Sequence, residues 1–337
     1  MTRVFVTGSA GFIGFHLGRL LLDDGFQVHG FDAMTDYYDV RLKHRRHQIL
    51  LQNAGFACTT GLLEEGTQLA DSIAAFAPDV IVHLAAQAGV RYSLENPHAY
   101  IDSNVVGTMN VIEAARSAQV EHLLMASTSS VYGSNENMPF AETDKADTPL
   151  TSYAATKKAN EAMGHAYAHL YDLPTTMFRF FTVYGPWGRP DMALFKFTDA
   201  ILRGDPIDIY NNGEMYRDFT YVTDLVRGIR LLIDAVPPVP GAGQGCMPGD
   251  SLSPAAPFRV VNIGNSDKVR LLDFVDALED CLGRTAVRNM MPMQMGDVPA
   301  TWANAELLKP LPGYQPKTDI RTGISEFVTW FRDYYQL

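Results

Sequence analysis

The fold of this chain is decided near its start, by RVFVTGSAGFIGFHLGRLLLDD at residues 3–24. The first five residues form a short, apolar, β-branched run typical of a buried parallel strand, and residues 12–24 carry apolar side chains at helical spacing. Between them Gly8 permits a tight turn, Gly11 lets backbone amides approach a pyrophosphate, and Gly14 lets helix and strand pack closely. The stretch therefore predicts a dinucleotide-binding turn, whose expected cofactor contacts are Gly8, Gly11, Phe12, Ile13 and Gly14.

A carboxylate ends the second predicted strand. That strand covers residues 27–31 and runs into Asp32, about 20 residues beyond the turn, where an acid accepts hydrogen bonds from an adenosine ribose. The same charge repels the 2′-phosphate of NADP, and no arginine or lysine occurs between Asp32 and Asp39. The pattern predicts NAD as the cofactor.

Strands and helices alternate through the first 180 residues. Predicted strands at residues 78–84, 121–126 and 175–180 are separated by helices, one of them at residues 102–119. Repeated βα units give a parallel, doubly wound sheet that binds ligands outside the carboxyl ends of its strands. Further cofactor contacts are expected at Leu84, Ala85, Ala86, Gln87, Asn104 and Phe180.

After residue 181, prolines and glycines interrupt short segments and the βα rhythm is lost. We therefore expect an α/β protein with a Rossmann-type doubly wound parallel sheet and a smaller C-terminal α/β substrate-binding lobe. The expected domains are residues 1–181, which bind NAD, and residues 182–337, which mainly bind substrate, with some chain returning to the first domain. Within the second, helices are predicted at residues 222–235, 271–282 and 320–334, and a surface loop at residues 237–257.

Tyr153 and Lys157 lie four residues apart in a predicted helix and therefore share one face. The lysine cation is expected to favour the phenolate and so to lower the pKa of the tyrosine. Such a tyrosine exchanges a proton with a substrate hydroxyl near neutral pH, which beside a nicotinamide gives alcohol–ketone redox chemistry. Both residues are also expected to contact the cofactor, Lys157 at the nicotinamide ribose. The alternative is a surface pair without a catalytic role.

A run of hydroxyl side chains, Thr128, Ser129 and Ser130, follows a buried strand at the ligand-binding edge of the predicted sheet. A hydroxyl there can accept from a substrate alcohol and donate toward Tyr153, so the three are candidate catalytic residues. The alternative is a serine-rich turn that satisfies its own backbone.

Composition excludes several classes of function. The chain has 337 residues, 47% hydrophobic and 19% charged, as in a globular protein, and its net charge of −11 argues against nucleic acid as the main partner. No apolar run reaches the roughly 18 residues of a membrane span. Three cysteines, Cys58, Cys246 and Cys281, lack metal-ligand spacing. We expect a cytoplasmic protein with free thiols, no signal peptide, no metal and no membrane partner.

Together these motifs resemble the extended short-chain dehydrogenase/reductase family. The matching segments are GSAGFIG (8–14), Asp32, HLAAQAG (83–89), STSSVYG (127–133), YAATK (153–157) and RDFTYVTDL (217–225), so the resemblance covers nearly the whole chain. Members with these motifs act on nucleotide sugars as 4-epimerases, 4,6-dehydratases, decarboxylases or reductases. Because relatives often dimerise through helices near residues 102–119 and 153–171, the resemblance also implies a homodimer.

Within this family, finer features are most similar to the UDP-glucuronate 4-epimerases. They are DYYDVRLK (36–43), FFTVYGPWGRPDMA (180–193), FRVVNIGN (258–265) and GDV (296–298). The resemblance implies reversible C4 epimerisation of a UDP-uronic acid through a 4-keto sugar, with tightly held NAD, in polysaccharide biosynthesis. It assigns the sugar carboxylate to Thr182 and Arg189, since arginine can grip a carboxylate bidentately. The remaining implied substrate contacts are Thr128, Arg217 at the diphosphate, Arg91 and Asp297.

Several alternatives stay open on the sequence. Arg189 can instead cap a loop or pair with Asp191, and Arg91 can form a structural salt bridge. A UDP-glucuronate decarboxylase shares the substrate and the first step, whereas a neutral UDP-hexose 4-epimerase and a non-catalytic NAD-binding protein are further alternatives. Dehydration is disfavoured because Ser129 and Ser130 stand where dehydratases carry an Asp-Glu pair.

Two departures from the family pattern bear on specificity. Leu62 stands where many relatives carry an aspartate that contacts adenine, so adenine contacts must come from elsewhere. The segment Met293-Gln294-Met295 lacks the arginine that galactose-type 4-epimerases place before their Gly-Asp pair. The second departure argues against a neutral hexose.

Overall fold

The computed structural model describes residues 1–241, 247, 249–311 and 313–337. The strands are β1 (Arg3–Thr7), β2 (Gln27–Asp32), β3 (Phe56–Thr60), β4 (Val80–His83), β5 (His122–Thr128), β6 (Thr175–Phe180), β7 (Thr182–Tyr184), β8 (Pro206–Ile209), β9 (Tyr216–Arg217), β10 (Phe219–Tyr221), β11 (Phe258–Ile263), β12 (Val269–Arg270), β13 (Val287–Met290) and β14 (Ala300–Thr301). The α-helices are α1 (Phe12–Asp23), α2 (Val40–Leu50), α3 (Thr67–Phe76), α4 (Tyr92–Glu95), α5 (Pro97–Tyr100), α6 (Gly107–Ala118), α7 (Ser152–Tyr171), α8 (Ala193–Arg203), α9 (Val222–Ile233), α10 (Leu271–Leu282) and α11 (Ile320–Tyr335). Cys246 lies outside the described residues.

Seven parallel strands form the central sheet, in the order β11-β6-β5-β4-β1-β2-β3. From β1 the chain runs outward through β2 and β3, then returns to place β4 on the other side of β1 and continues through β5 and β6. The strand order thus reverses between β1 and β4, which is where doubly wound sheets open a crevice for ligands. The predicted Rossmann-type fold is confirmed.

Both faces of the sheet are covered by helices because the apolar side chains of each strand alternate between the faces. In β1, Val4 and Val6 join the core beneath α1 and α9, whereas Phe5 joins the core beneath α3, α6 and α7. All three side chains are fully buried. The continuous apolar run of the strand therefore serves two separate cores.

The second half of the chain builds a third apolar core of its own. Phe195 of α8, Phe274 of α10 and Phe327 of α11 pack together in it. Yet β11, from the same half, pairs in parallel with β6 and forms the edge of the central sheet, with Phe258 opposite Thr175 and Ile263 opposite Phe180. The two halves of the chain are therefore interleaved.

The predicted long helix at residues 102–119 is divided. Residues Ile101–Val106 form a π-helical segment, and the regular helix α6 starts only at Gly107. A Cβ added to Gly107 would lie 2.7 Å from the Cβ of Leu63, so the chain leaves no room for a larger residue at this junction. Elsewhere the predicted helices at residues 222–235 and 320–334 end at Ile233 and Tyr335 instead, and the one at residues 271–282 has the predicted bounds.

None of the helices in the described ranges is both long enough and apolar enough to cross a bilayer. Over the same residues, no three His, Cys, Asp or Glu side chains gather as a metal site would need.

The close packing of the glycine turn gives a prediction for stability. In Gly14→Ala the new Cβ would lie 2.1 Å from the carbonyl oxygen of Gly8, so we expect a loss of at least about 1–3 kcal/mol in the free energy of unfolding, as for other overpacked sites. In the control Gly18→Ala, on the same helix, the Cβ meets only the methyl groups of Leu50 at 3.4 Å. Urea denaturation of the two variants measures the difference, and equal stabilities would contradict the prediction.

Candidate active site

A cavity of about 970 Å³ lies over the carboxyl ends of the central strands. Its floor is formed by the ends of β1, β2, β4, β5 and β6, and its far wall comes from the second half of the chain, including Thr182, Arg189, Arg217 and Asp297. This volume is in the upper range for small-molecule and cofactor sites.

The glycine turn forms one end of the cavity. Gly8 has a left-handed φ of +74°, and a Cβ added there would lie 2.7 Å from the backbone nitrogen of Ala85. Helix α1 begins after Gly11 without a side-chain cap, so the N–H groups of its first turn, at Phe12, Ile13 and Gly14, are available to a ligand. A helix N-terminus of this kind binds phosphate groups. The cradle, in which even one Cβ would clash, fits a dinucleotide pyrophosphate.

Asp32 connects this turn to the end of β2. One carboxylate oxygen accepts a hydrogen bond from the N–H of Ala10 at 2.9 Å, and the other accepts from the N–H of Met34 at 2.9 Å. Asp32 also lines the cavity, and each of its oxygens keeps a lone pair for a ribose hydroxyl. The carboxylate therefore fixes the turn and remains available to a nucleotide.

Lys43, which the sequence analysis missed, also lines this end of the cavity. Its Nζ donates to the carbonyl oxygen of Thr35 at 2.6 Å and to its hydroxyl at 2.9 Å. Burial lowers the pKa of the lysine, and the charge of Asp32 opposes that effect. Lys43 lies beyond the residues 32–39 that lack a basic side chain, and helix α2 brings it back toward Asp32. At the adenine end, Leu62 lines the wall together with Glu64.

Tyr153 and Lys157 both lie on the cavity wall, where helix α7 presents them. Thr151 caps this helix by accepting a hydrogen bond from the N–H of Ala154 at 3.2 Å. Burial raises the pKa of Tyr153, while the hydroxyl of Thr128 and the charge of Arg189 act in the opposite direction. The expectation of a lowered pKa is therefore wrong for the protein alone, because desolvation dominates, and the groups that oppose it are Thr128 and Arg189 rather than Lys157. Burial also lowers the pKa of Lys157, to about 8.

The predicted hydroxyl cluster faces the same space. Thr128 is the last residue of β5, and Ser129 and Ser130 begin a 3-10 turn that covers Ser129–Tyr132. The Thr128 hydroxyl accepts from the N–H of Ser130 at 3.2 Å and donates to the Ser130 hydroxyl at 3.3 Å. All three line the cavity. The turn thus satisfies its own backbone and still presents Thr128 to Tyr153.

A buried ion pair behind the wall fixes α7 to the sheet. The carboxylate of Glu161 accepts from Nε and Nη2 of Arg179, both at 2.9 Å, and from the Ser127 hydroxyl at 2.7 Å. Burial alone would raise the pKa of Glu161, but the guanidinium of Arg179 outweighs it and the pKa falls to about 2. Glu161 is one turn beyond Lys157, so this pair sets the position of the face of α7 that carries Tyr153 and Lys157.

Asn104, expected to touch the cofactor, is buried behind the wall and does not line the cavity. Its side-chain amide accepts from the N–H of Gln87 at 2.8 Å and donates to the carbonyl oxygen of Gln87 at 3.0 Å and to the Thr156 hydroxyl at 3.2 Å. These contacts use the amide to connect the loop after β4 to α7. The other expected contacts, Leu84, Ala85, Ala86, Gln87 and Phe180, line the cavity.

Arg189 faces the cavity and also forms an ion pair with Asp191. Its Nε donates to one carboxylate oxygen at 3.0 Å, its Nη2 donates to the other, and the guanidinium lies 5.9 Å from the centre of the Tyr37 ring. The ion pair with Asp191, which the sequence left open as an alternative, is therefore present, and binding of a sugar carboxylate by Arg189 stays a prediction. One edge of the guanidinium is occupied by Asp191, and the Nη1 side remains for a ligand.

The remaining predicted substrate residues separate into two groups. Arg217 lines the cavity, and burial lowers its pKa while the charge of Asp297 opposes that effect. Arg91 does not line the cavity; its side chain is 50% exposed and lies 3.4 Å from a carboxylate oxygen of Asp297. Arg91 therefore takes the structural role that the sequence left open, at the rim between the two halves of the chain.

Comparisons with known proteins agree with this geometry. The sequence profile of the NAD dependent epimerase/dehydratase family matches residues 4–241. A probable UDP-glucuronate 4-epimerase of Rhizobium meliloti (strain 1021) is 54% identical over 334 residues, covering 99% of this chain and 98% of the relative. UDP-glucuronate 4-epimerase 1 of Arabidopsis thaliana is 44% identical over 98% of this chain and 77% of its own length.

Solved structures give a similar result. The UDP-glucuronic acid 4-epimerase of Bacillus cereus, in complex with UDP-glucuronic acid and NAD, superposes with a TM-score of 0.87 and 29% identity, covering 99% of this chain and 100% of that protein. The UDP-glucose 4-epimerase of Thermotoga maritima, solved with UDP-glucose, reaches a TM-score of 0.85 at 26% identity, covering 99% and 100% of the two chains.

The buried lysine predicts a pH dependence of stability. Because the pKa of Lys157 is about 8 in the folded protein against 10.5 in solution, the unfolded chain binds more protons between those values and the wild type gains stability as pH rises through that window. Relative to Lys157→Met, we expect a gain of up to roughly 3 kcal/mol between about pH 7 and about pH 10. Urea denaturation at both pH values measures it.

The matched control for this measurement is Lys145→Met, whose lysine side chain is 72% exposed. Its stability difference from the wild type should be nearly the same at both pH values. A pH-independent difference for Lys157→Met would show that this lysine is not desolvated as the structure indicates.

Proposed function

The chain belongs to the NAD dependent epimerase/dehydratase family, and from that membership and the geometry of its cavity we propose that it interconverts UDP-glucuronate and UDP-galacturonate at C4. The observation that carries the proposal is Arg189, which faces the same cavity as Tyr153 and Thr128. An arginine beside the reacting centre suits a sugar with a carboxylate at C5.

The proton chemistry is assigned to Tyr153. As the phenolate, and assisted by the Thr128 hydroxyl, it takes the proton of the C4 hydroxyl, and after the 4-keto sugar has presented its other face it returns the proton. When bound, NAD accepts the C4 hydride and gives it back, and its positively charged nicotinamide ring favours the phenolate. Lys157 binds the nicotinamide ribose and keeps a positive charge beside Tyr153.

The carboxylate has to be held in a particular orientation. A 4-keto uronate is a β-keto acid, which loses CO₂ when the bond from C5 to the carboxylate aligns with the π system of the ketone. We assign Thr182 and the free side of Arg189 to holding the carboxylate out of that alignment. Asp191 supports this assignment because its two hydrogen bonds fix the plane of the guanidinium.

The nucleotide end of the substrate is assigned to the second half of the chain. Arg217 lines the far wall together with Asp297, and we assign the diphosphate to Arg217. Anchoring at the diphosphate leaves the sugar free to rotate, which epimerisation requires. The pair of Arg91 and Asp297 connects the two halves of the chain at the rim of the site.

Cellular context and assembly are further parts of the proposal. We place the enzyme in the cytoplasm, where nucleotide sugars for polysaccharide biosynthesis are made, and as a homodimer through the α6 and α7 helices. Leu170 and Tyr171 at the end of α7 are 65% and 50% exposed, which supports contact with a second copy.

The first test is incubation of the purified protein with UDP-glucuronate without added cofactor, followed by separation of the products. We expect UDP-galacturonate from the wild type and a fall in kcat of at least about 100-fold in Tyr153→Phe, which removes the proton carrier. Tyr167→Phe, on the same helix but outside the cavity, is the control and should keep its rate.

Other products would change the assignment. Release of CO₂ with a UDP-pentose from the wild type would make the protein a decarboxylase. Turnover of UDP-glucose or UDP-galactose alone would favour a neutral hexose, and no reaction even with added NAD would favour the non-catalytic alternative.

A second prediction concerns product purity. In Arg189→Gln and Thr182→Val the carboxylate is held less firmly, so we expect slower epimerisation, by about tenfold or more for the loss of a charged hydrogen bond, and a new UDP-pentose product with CO₂. Arg203→Gln, whose arginine is 63% exposed, serves as the control. Anion-exchange chromatography of the products measures both effects. A wild-type rate and wild-type product purity in both variants would contradict the assignment of Thr182 and Arg189 to the carboxylate.

A further inference from the structure

Arg46 of α2 is a fully buried guanidinium to which the sequence analysis gave no role. Its hydrogen-bond acceptors among the described residues are uncharged: the carbonyl oxygens of Ala10, Trp187 and Gly188 and the hydroxyl of Tyr38. Burying a cation against neutral acceptors is costly. Because no acidic partner offsets this cost among the described residues, the reason for burying Arg46 must lie in the groups that it joins.

Those contacts join two distant segments. Nη1 donates to the carbonyl oxygen of Ala10 at 2.9 Å, in the glycine turn, and to the Tyr38 hydroxyl at 2.8 Å. Nη2 donates to the carbonyl oxygens of Trp187 at 2.6 Å and Gly188 at 3.5 Å. Because the guanidinium is planar and rigid, it fixes these two segments relative to one another.

The second segment carries Arg189, which follows Gly188 directly. The backbone of this segment accepts hydrogen bonds at three successive carbonyl oxygens. Besides those of Trp187 and Gly188, the carbonyl oxygen of Pro186 accepts from Nε2 of His16, in α1, at 2.8 Å. Burial lowers the pKa of His16 to about 4, so the ring is neutral near pH 7 and carries a single N–H. Trp187 adopts a left-handed φ of +61°, a strained conformation that these contacts maintain.

The first segment belongs to the cofactor cradle. The N–H of Ala10 donates to Asp32 at 2.9 Å, while its carbonyl oxygen accepts from Arg46. The peptide groups on both sides of Ala10 are therefore fixed, including the one that leads to Gly11 and the start of α1.

We propose that Arg46 is a positioning residue that holds the Arg189 loop in register with the cofactor turn, and so sets the selectivity for a nucleotide sugar that bears a carboxylate. This inference rests on the proposed function, in which Arg189 binds the uronate. Arg46 itself does not line the cavity. Its effect on binding therefore has to act through the loop.

The test compares UDP-glucuronate with UDP-glucose, which differ only at C6, a carboxylate in the first and a hydroxymethyl group in the second. Their affinities are measured by titration calorimetry on the NAD-loaded full chain, in the wild type, Arg46→Lys and Arg46→Gln. We expect both variants to bind UDP-glucuronate at least tenfold more weakly and to change by less than twofold for UDP-glucose, because a lysine Nζ cannot span both segments. Arg45→Gln, at the exposed neighbouring position on the same helix, should change neither affinity.

Two further variants separate positioning from folding. Tyr38→Phe removes one acceptor of Arg46 and keeps the charge of the arginine. It should therefore show a smaller fall in the affinity ratio, that is, the affinity for UDP-glucuronate divided by that for UDP-glucose, at an unchanged Tm. Adding Arg46→Gln to Arg189→Gln should lower the ratio no further, since the effect acts through Arg189. An unchanged ratio in Arg46→Lys and Tyr38→Phe, equal losses for both ligands, or an additive loss in the double variant would overturn the proposal.

The wild type distinguishes this inference from the function on which it rests. A wild type that does not epimerise UDP-glucuronate overturns the proposed function and this inference together. A wild type that epimerises, with a normal affinity ratio in the Arg46 variants, overturns only the role of Arg46.

Discussion

The site depends on one contact between backbones. At this contact the turn after β1 meets the end of β4 and the first turn of α1. Gly8 and Gly14 leave no room for a Cβ at this contact. The contact brings the N-terminus of a helix over the reversal point of the sheet, so that its N–H groups face the cavity. The side chains to which we assign the chemistry are then placed relative to it by parallel strands of fixed spacing: Thr128 ends β5, two strands away from β1, and Tyr153 lies on the helix α7 that packs against the sheet.

Burial, rather than the attraction between phenolate and lysine, governs the ionisation of Tyr153 and Lys157. Desolvation raises the pKa of the tyrosine and lowers that of the lysine, so both shifts favour uncharged side chains. Full burial shifts a pKa by several units, whereas a neighbouring charge typically contributes 1–3 units. The groups that favour the phenolate here are Thr128 and Arg189, and the second of these belongs to the substrate side of the cavity. In the proposed mechanism, proton transfer by Tyr153 and substrate recognition by Arg189 are thus electrostatically connected.

The local parts of the site could be predicted from the sequence, and the long-range parts could not. The glycine turn, Asp32 and the Tyr153/Lys157 spacing each depend on a few consecutive residues, and the structure brings them to one cavity. Lys43, Arg46 and the pair of Glu161 with Arg179 became visible only in the fold, because their partners lie between 8 and 142 residues away. Asn104 was expected at the cofactor, but its partners Gln87 and Thr156 hold it behind the wall. Burial in particular is set by the whole fold, which is why the sequence predicted the wrong direction for the pKa shift of Tyr153.

The return of β11 to the central sheet has a consequence for how the chain is made. Strand β6, whose six residues are all buried, pairs with β5 on one side and with β11 on the other. During synthesis from the N-terminus, β6 is complete well before Phe258–Ile263 exist, so the nascent sheet ends for a time in an open apolar edge. Such an edge is a template for pairing with a neighbouring chain. The order in which the ribosome releases the protein therefore exposes this edge to aggregation between the completion of β6 and the arrival of β11.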